Sequence, residues 1–145
     1  MKNKFILCVL IATCIISCTV EPKPIEYGID HCYFCDMTVV EKTHAAQYTT
    51  LKGRSYSFDA VECLIRKLNQ DENEANMAFI RVADYANPGS LSNANTATYL
   101  ISDKIKSPMG ANLSAFSKYE SAKKTQSIHG GNLYTWQQIK DKLNN

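Results

Sequence analysis

Hydrophobic and polar positions along this chain follow two different periods, and one unbroken apolar run precedes both. Residues 5–16 are apolar, about a dozen in all and short of the ~20 that cross a bilayer. Farther on, residues 45–50 and 55–58 carry Tyr48, Tyr56 and Phe58 on either side of Lys52-Gly53, a pattern that predicts a hairpin. Val61, Leu64, Ile65 and Leu68 then recur at i, i+3, i+4 and i+7, which predicts a helix burying one stripe. Asp59 and Glu62 have the spacing of a capping box at its start, and Cys63 falls off the stripe. Residues 69–76 read as a polar loop and 77–83 as a strand. The second half predicts a long loop over 87–95, strands at 96–101 and 113–116, and between them a loop holding Ser107-Pro108-Met109-Gly110. A second capping box, Ser117 with Glu120, opens a helix that Gly130-Gly131 ends. Residues 132–134 suit a strand, and Thr135 with Gln138 opens a last helix with Trp136, Ile139 and Leu143 on one face. The order strand, strand, helix, strand thus occurs twice, over about 31–86 and 95–145, as an α+β pseudo-repeat without repeated sequence.

The start of the chain reads as an address. Lys2 and Lys4 precede the apolar run, and Ile15-Ile16-Ser17 stands directly before Cys18. Aliphatic residues and a small residue before a cysteine resemble a bacterial lipoprotein signal. That resemblance makes residues 1–17 a signal peptide, Cys18 the lipidated first residue, and residues 18–30, with Pro22, Pro24 and Gly28, a tether. It places the protein in the cell envelope, anchored by lipid and facing the periplasm. Removing Lys2 and Lys4 lowers Lys+Arg from 16 to 14, equal to the 14 Asp+Glu. A neutral chain lacks the basic face that nucleic acid requires. Of six cysteines, Cys8 and Cys14 leave with the signal and Cys18 takes lipid. Cys32, Cys35 and Cys63 remain, an odd number, so at least one thiol is unpaired or bound to something else.

Chemistry concentrates in His31-Cys32-Tyr33-Phe34-Cys35-Asp36-Met37. In an extended segment Cys35 and Met37 point the same way, and a thiolate beside a thioether favours a soft ion such as Cu(I). Met109, between Pro108 and Gly110, sits in a stiff loop where a core-filling methionine is not expected. Cys32, His31 and His44 are further candidate ligands, while His129 is explained by a helix C-terminus. Three readings of Cys32-x-x-Cys35 stay open: thiolates for a soft metal, a thiol–disulfide oxidoreductase pair, and a structural disulfide in a lipoprotein without metal. A zinc knuckle would need a second cysteine pair, which the chain lacks. The oxidoreductase reading wants a helix after the motif, whereas Met37-Thr38-Val39-Val40 favours a strand. No phosphate-binding glycine loop, Ser/His/Asp set or paired carboxylates stand out, and the chain does not read as an enzyme.

Taken together, Cys-x-x-Cys-x-Met, Ser-Phe-Asp before an amphipathic helix, Pro-Met-Gly, a stretch ending in Ala-Phe and a helix closed by Gly-Gly resemble the nitrous-oxide-reductase accessory lipoproteins, the NosL family. The resemblance runs from about Cys32 to Trp136. It implies two small ββαβ-type units packed as one compact module, here residues 31–145. It implies a membrane-tethered copper chaperone that carries Cu(I) to nitrous oxide reductase or another copper-enzyme client. The family's Cys and Met fall on Cys35 and Met37, and its Pro-Met-Gly methionine on Met109. One departure stands out: Asp36 occupies a position where the family commonly has glycine.

Overall fold

The computed structural model describes residues 19–144; the predicted signal peptide and Cys18 lie outside the described residues. Among the described residues two antiparallel sheets, three α-helices and a single 3-10 turn at Glu74–Asn76 form a mixed α+β fold. The first sheet holds β1 (Ala46–Thr50), β2 (Ser55–Phe58), β3 (Met77–Ala83) and β4 (Leu91–Asn93) in the order β2-β1-β3-β4. The second holds β5 (Thr98–Ile101), β6 (Leu113–Phe116) and β7 (Asn132–Tyr134) in the order β6-β5-β7. In each, the first strand pairs with its hairpin partner on one side and with the strand that follows the helix on the other. The helices are α1 (Val61–Asp71), α2 (Tyr119–His129) and α3 (Trp136–Asn144).

The two periodicities explain the core. Tyr48, Ile80 and Val82 from the first sheet, Tyr99, Leu113 and Ala115 from the second, and Leu64, Ile65, Leu68, Trp136 and Ile139 from the helices belong to one buried cluster. Trp136 keeps its indole N–H satisfied by donating to Glu74 at 2.8 Å, and its ring centroid lies 5.7 Å from that of Tyr99.

Four expectations change. The residues read as a tether are docked from Lys23 onward. Lys23 donates its N–H to Ser55 and accepts from Gln47, Gly28 donates to Val39 O, and Ile25 and Tyr27 pack on the core. Residues 91–93 form the edge strand β4 rather than a loop. Residues 37–40 make no strand, only one bridge between His31 and Thr38. Two of the three capping boxes do not form: α1 and α2 start at Ala60 and Lys118 with no side-chain cap. Only Thr135 and Gln138 cap reciprocally, at 2.9 and 3.4 Å.

Candidate metal centre

The Cys32–Met37 segment is a tight turn, not an extended strand. Cys32 donates its N–H to Met37 O at 2.8 Å and accepts from Asp36 N–H at 2.9 Å. Asp36 turns the chain at φ 64°, in the left-handed region that costs most side chains about 1–2 kcal/mol and Asp somewhat less. A glycine there would carry no such cost. Because the Asp36 side chain is 98% exposed, Asp36→Gly should stabilise the protein by about 0.5–1 kcal/mol, read as a higher midpoint in urea. Equal or lower stability would mean that the exposed contact of the Asp36 carboxylate with His31 Nδ1 at 3.9 Å compensates the backbone cost.

The turn is pinned from outside. Tyr33 donates its N–H to Ser57 O at 2.9 Å, its ring lies 4.2 Å from that of Tyr56, and Lys67 Nζ sits 5.0 Å over it. Pinned there, the turn lies against the first turn of α1. Val61, Glu62, Cys63, Leu64 and Ile65 are all buried, because the cysteine turn covers a side of the helix that periodicity leaves to solvent. Cys63 is therefore 0% exposed, and its Sγ lies 3.9 Å from Cys35 Sγ. The sulfurs of Cys32, Cys35 and Cys63 all lie within 4.8 Å of one another. Metal–thiolate bonds of about 2.3 Å in a trigonal arrangement would put sulfurs about 4 Å apart, so the three fit a soft ion with little movement. All three thiols are unbridged.

Local electrostatics make the thiols unequal. The Cys63 S–H, with backbone N–H groups of Asp59, Cys35 and Phe34, holds Cys32 down to about 5 against the opposing effect of burial. Cys63, donating to Cys32 and buried, is pushed up. Cys35 is raised, chiefly by burial.

The other sequence candidates are placed as follows. Met37 stands at the rim, 51% exposed. Met109 is half-buried and packs on the same core cluster as Cys35. Its loop is fastened to α1: Ser107 Oγ and Ala111 N–H both donate to Glu62 Oε1, beside Cys63. His31 is exposed, and its Nδ1 lies 3.0 Å from Asp36 O. His44 lies apart from the three sulfurs. It is buried, with Nδ1 2.9 Å from Glu41 and Nε2 3.3 Å from Ser114. Both ring nitrogens are engaged between the turn before β1 and strand β6, outside the sulfur cluster. Cys63 and Glu62 were the residues that periodicity missed. The signal for Cys63 was the odd cysteine count; Glu62 had none, since its capping-box spacing pointed elsewhere.

A family model described as NosL matches residues 25–144. The crystal structure of the copper chaperone NosL from Shewanella denitrificans superposes with a TM-score of 0.68 at 21% identity, covering 81% of this chain and 93% of that one. No curated protein matches the chain.

Proposed function

We propose, from the premise that this chain belongs to the NosL family, that it is a copper chaperone carrying Cu(I) on its sulfur cluster. The observation that carries the reading is the convergence of Cys32, Cys35 and Cys63 within 4.8 Å at the buried start of α1. Cys35, the half-buried member, is the anchoring thiolate at the mouth, with the thioethers of Met37 and Met109 completing the shell. Cys32 and Cys63 lie behind it as auxiliary sulfurs, and His31 stands at the rim. Thioethers are neutral and Cu(I) accepts two or three donors, so an ion leaves this set with little rearrangement of charge. Cys18 carries lipid, and residues 19–22 are a short leash that keeps the domain at the membrane on the periplasmic side. No described helix is long and apolar enough to cross a membrane. The client is nitrous oxide reductase or another copper enzyme of the envelope.

The rival reading, thiol–disulfide exchange, needs an accessible low-pKa cysteine. The thiol held low here is Cys32, which is 2% exposed and not at a helix N-terminus, so a protein disulfide has no path to it.

Titrating the reduced protein with Cu(I) against a chelating competitor tests the reading. Saturable tight binding is expected, with no catalysis of insulin reduction; no binding would refute it. The pH dependence carries a sign. Cys35 keeps its proton at neutral pH because its pKa is raised, so binding releases it and affinity rises about tenfold per pH unit between 6 and 9, or about a hundredfold if Cys63, also pushed up, binds as a thiolate too. Cys32, held to about 5, is already ionised in that range and adds nothing. Below pH 5 it must lose a proton too, and the slope steepens if it is a ligand. A flat profile from 6 to 9 would exclude a Cys35 thiolate from the shell.

A further inference from the structure

We infer that Glu62 is a positioning residue for copper binding, a buried clamp that sets where Met109 stands relative to the cysteines. The inference rests on the copper reading above, in which Met109 is a ligand.

Glu62 is 0% exposed, and a carboxylate is almost never fully buried unless it is paired. Among the described residues no cation partners it. Oε1 takes Ser107 Oγ and the Ala111 N–H at 3.3 Å, and Oε2 has no partner among the described residues. Leaving a carboxylate oxygen unsatisfied in the core is costly, so this residue is not explained as a stabiliser of the fold. Its two bonds instead bracket the methionine: one donor stands two residues before Met109 and the other two residues after. Ser107 is itself buried, and Gly110 N–H closes the turn onto Ser107 O at 3.1 Å. Glu62 directly precedes Cys63 on α1. The clamp therefore joins, through one rigid helical turn, the loop that carries the late thioether and the helix that carries the inner thiol. Elsewhere the loop is held at its base and its first half, by Ser102 N–H to Asn112 O at 3.2 Å, by Ser102 Oγ to His129 O at 2.9 Å and by Ile105 packing with Ala122, so Glu62 is the tie on the Met109 side.

An amide can take over the Oε1 role with its carbonyl and puts its nitrogen where no partner exists to be lost. Glu62→Gln is therefore the conservative variant, Glu62→Leu removes the clamp, and Ser107→Ala removes one of its bonds. Two measurements on the reduced protein decide the matter. Amide hydrogen exchange without metal should show residues 109–111 exchanging faster in Glu62→Leu and near parent rates in Glu62→Gln. Cu(I) competition should show Glu62→Leu weakened about 10–100-fold, the range for supports of metal ligands, with Glu62→Gln within about threefold. Ser107→Ala should lie between them.

In a Met109→Leu background, Glu62→Leu should cost nothing further, because its effect passes through Met109. A general loss of stability would instead weaken binding in both backgrounds. Parent exchange rates at 109–111 in Glu62→Leu overturn the inference, as does an undiminished effect in the Met109→Leu background. Should Glu62→Leu fail to fold, the same comparisons apply to Ser107→Ala. If the parent protein does not bind Cu(I), the copper reading falls, and the inference falls with it, whatever the exchange result.

Discussion

Cys35→Ser is expected to weaken Cu(I) binding by on the order of a thousandfold, about 4 kcal/mol, while leaving the fold in place. Serine offers a hard oxygen that stays protonated at any working pH, and Cu(I) discriminates against such donors. Cys35 is the member of the trio that is not fully buried, so an incoming ion meets it first, and its loss removes the anchor at the mouth. Structurally the change is mild. The turn is held by backbone bonds of Cys32, Tyr33 and Asp36, none of which uses the Cys35 side chain, so stability should move by less than about 1 kcal/mol. Cys63→Ser makes the informative companion, because a serine hydroxyl can still donate to Cys32 and sustain its thiolate. It should cost distinctly less affinity than Cys35→Ser. Binding by Cys35→Ser that equals the parent's would move the site to Cys32 and Cys63 and leave Met37 and Met109 without an anchor to complete.

The capping residues show what a single sequence can and cannot display. Asp59 with Glu62, Ser117 with Glu120, and Thr135 with Gln138 have the same spacing, yet only the last forms. Around α3 the cap is exposed, and no tertiary partner competes for the side chains. At α1 the whole first turn is buried, so Asp59 takes the Val40 N–H and Glu62 takes the Met109 loop. At α2, Ser117 Oγ donates to Asp84 instead. Local spacing states a preference, and a buried partner from a distant part of the chain outbids it. The same holds at the sulfur site. Soft donors were legible by type: the Cys35 turn and the loop that carries Met109 are far apart in sequence, and both meet the start of α1. The turn that brings Cys32 and Cys35 onto Cys63 was not legible, because Met37-Thr38-Val39-Val40 has strand composition and the bend is made at Asp36 by a backbone angle that composition does not encode. The strand and helix order, resting on repeated period-2 and period-3.6 patterns, was readable almost throughout; β4, three residues long, was too short to show a period.

Gly131→Ala should be the most damaging single-methyl change in the second sheet, costing roughly 3–4 kcal/mol, or about 10 °C or more in melting temperature. Gly130 and Gly131 look alike in sequence as a helix stop, but their surroundings differ. A Cβ on Gly130 at φ +71° would meet nothing within 4 Å, whereas on Gly131 at φ +98° it would lie 2.1 Å from Ile101 O and 3.0 Å from Ser102 Cα. Those are backbone atoms of the central strand and its exit. Ile101 is held on both sides, opposite Leu113 in β6 and Asn132 in β7, so it cannot retreat without breaking a ladder. Gly130→Ala has no such clash and should cost the conformational penalty alone, about 1–3 kcal/mol at φ 71° and ψ −165°, and equal effects of the two changes would show that β5 and β7 do not approach this closely. The consequence extends to copper. Ser102 begins the loop that runs through Met109 and closes its base on Asn112 O. A methyl wedged beneath Ser102 tilts that base, so the fraction of Gly131→Ala that remains folded should bind Cu(I) more weakly than Gly130→Ala does.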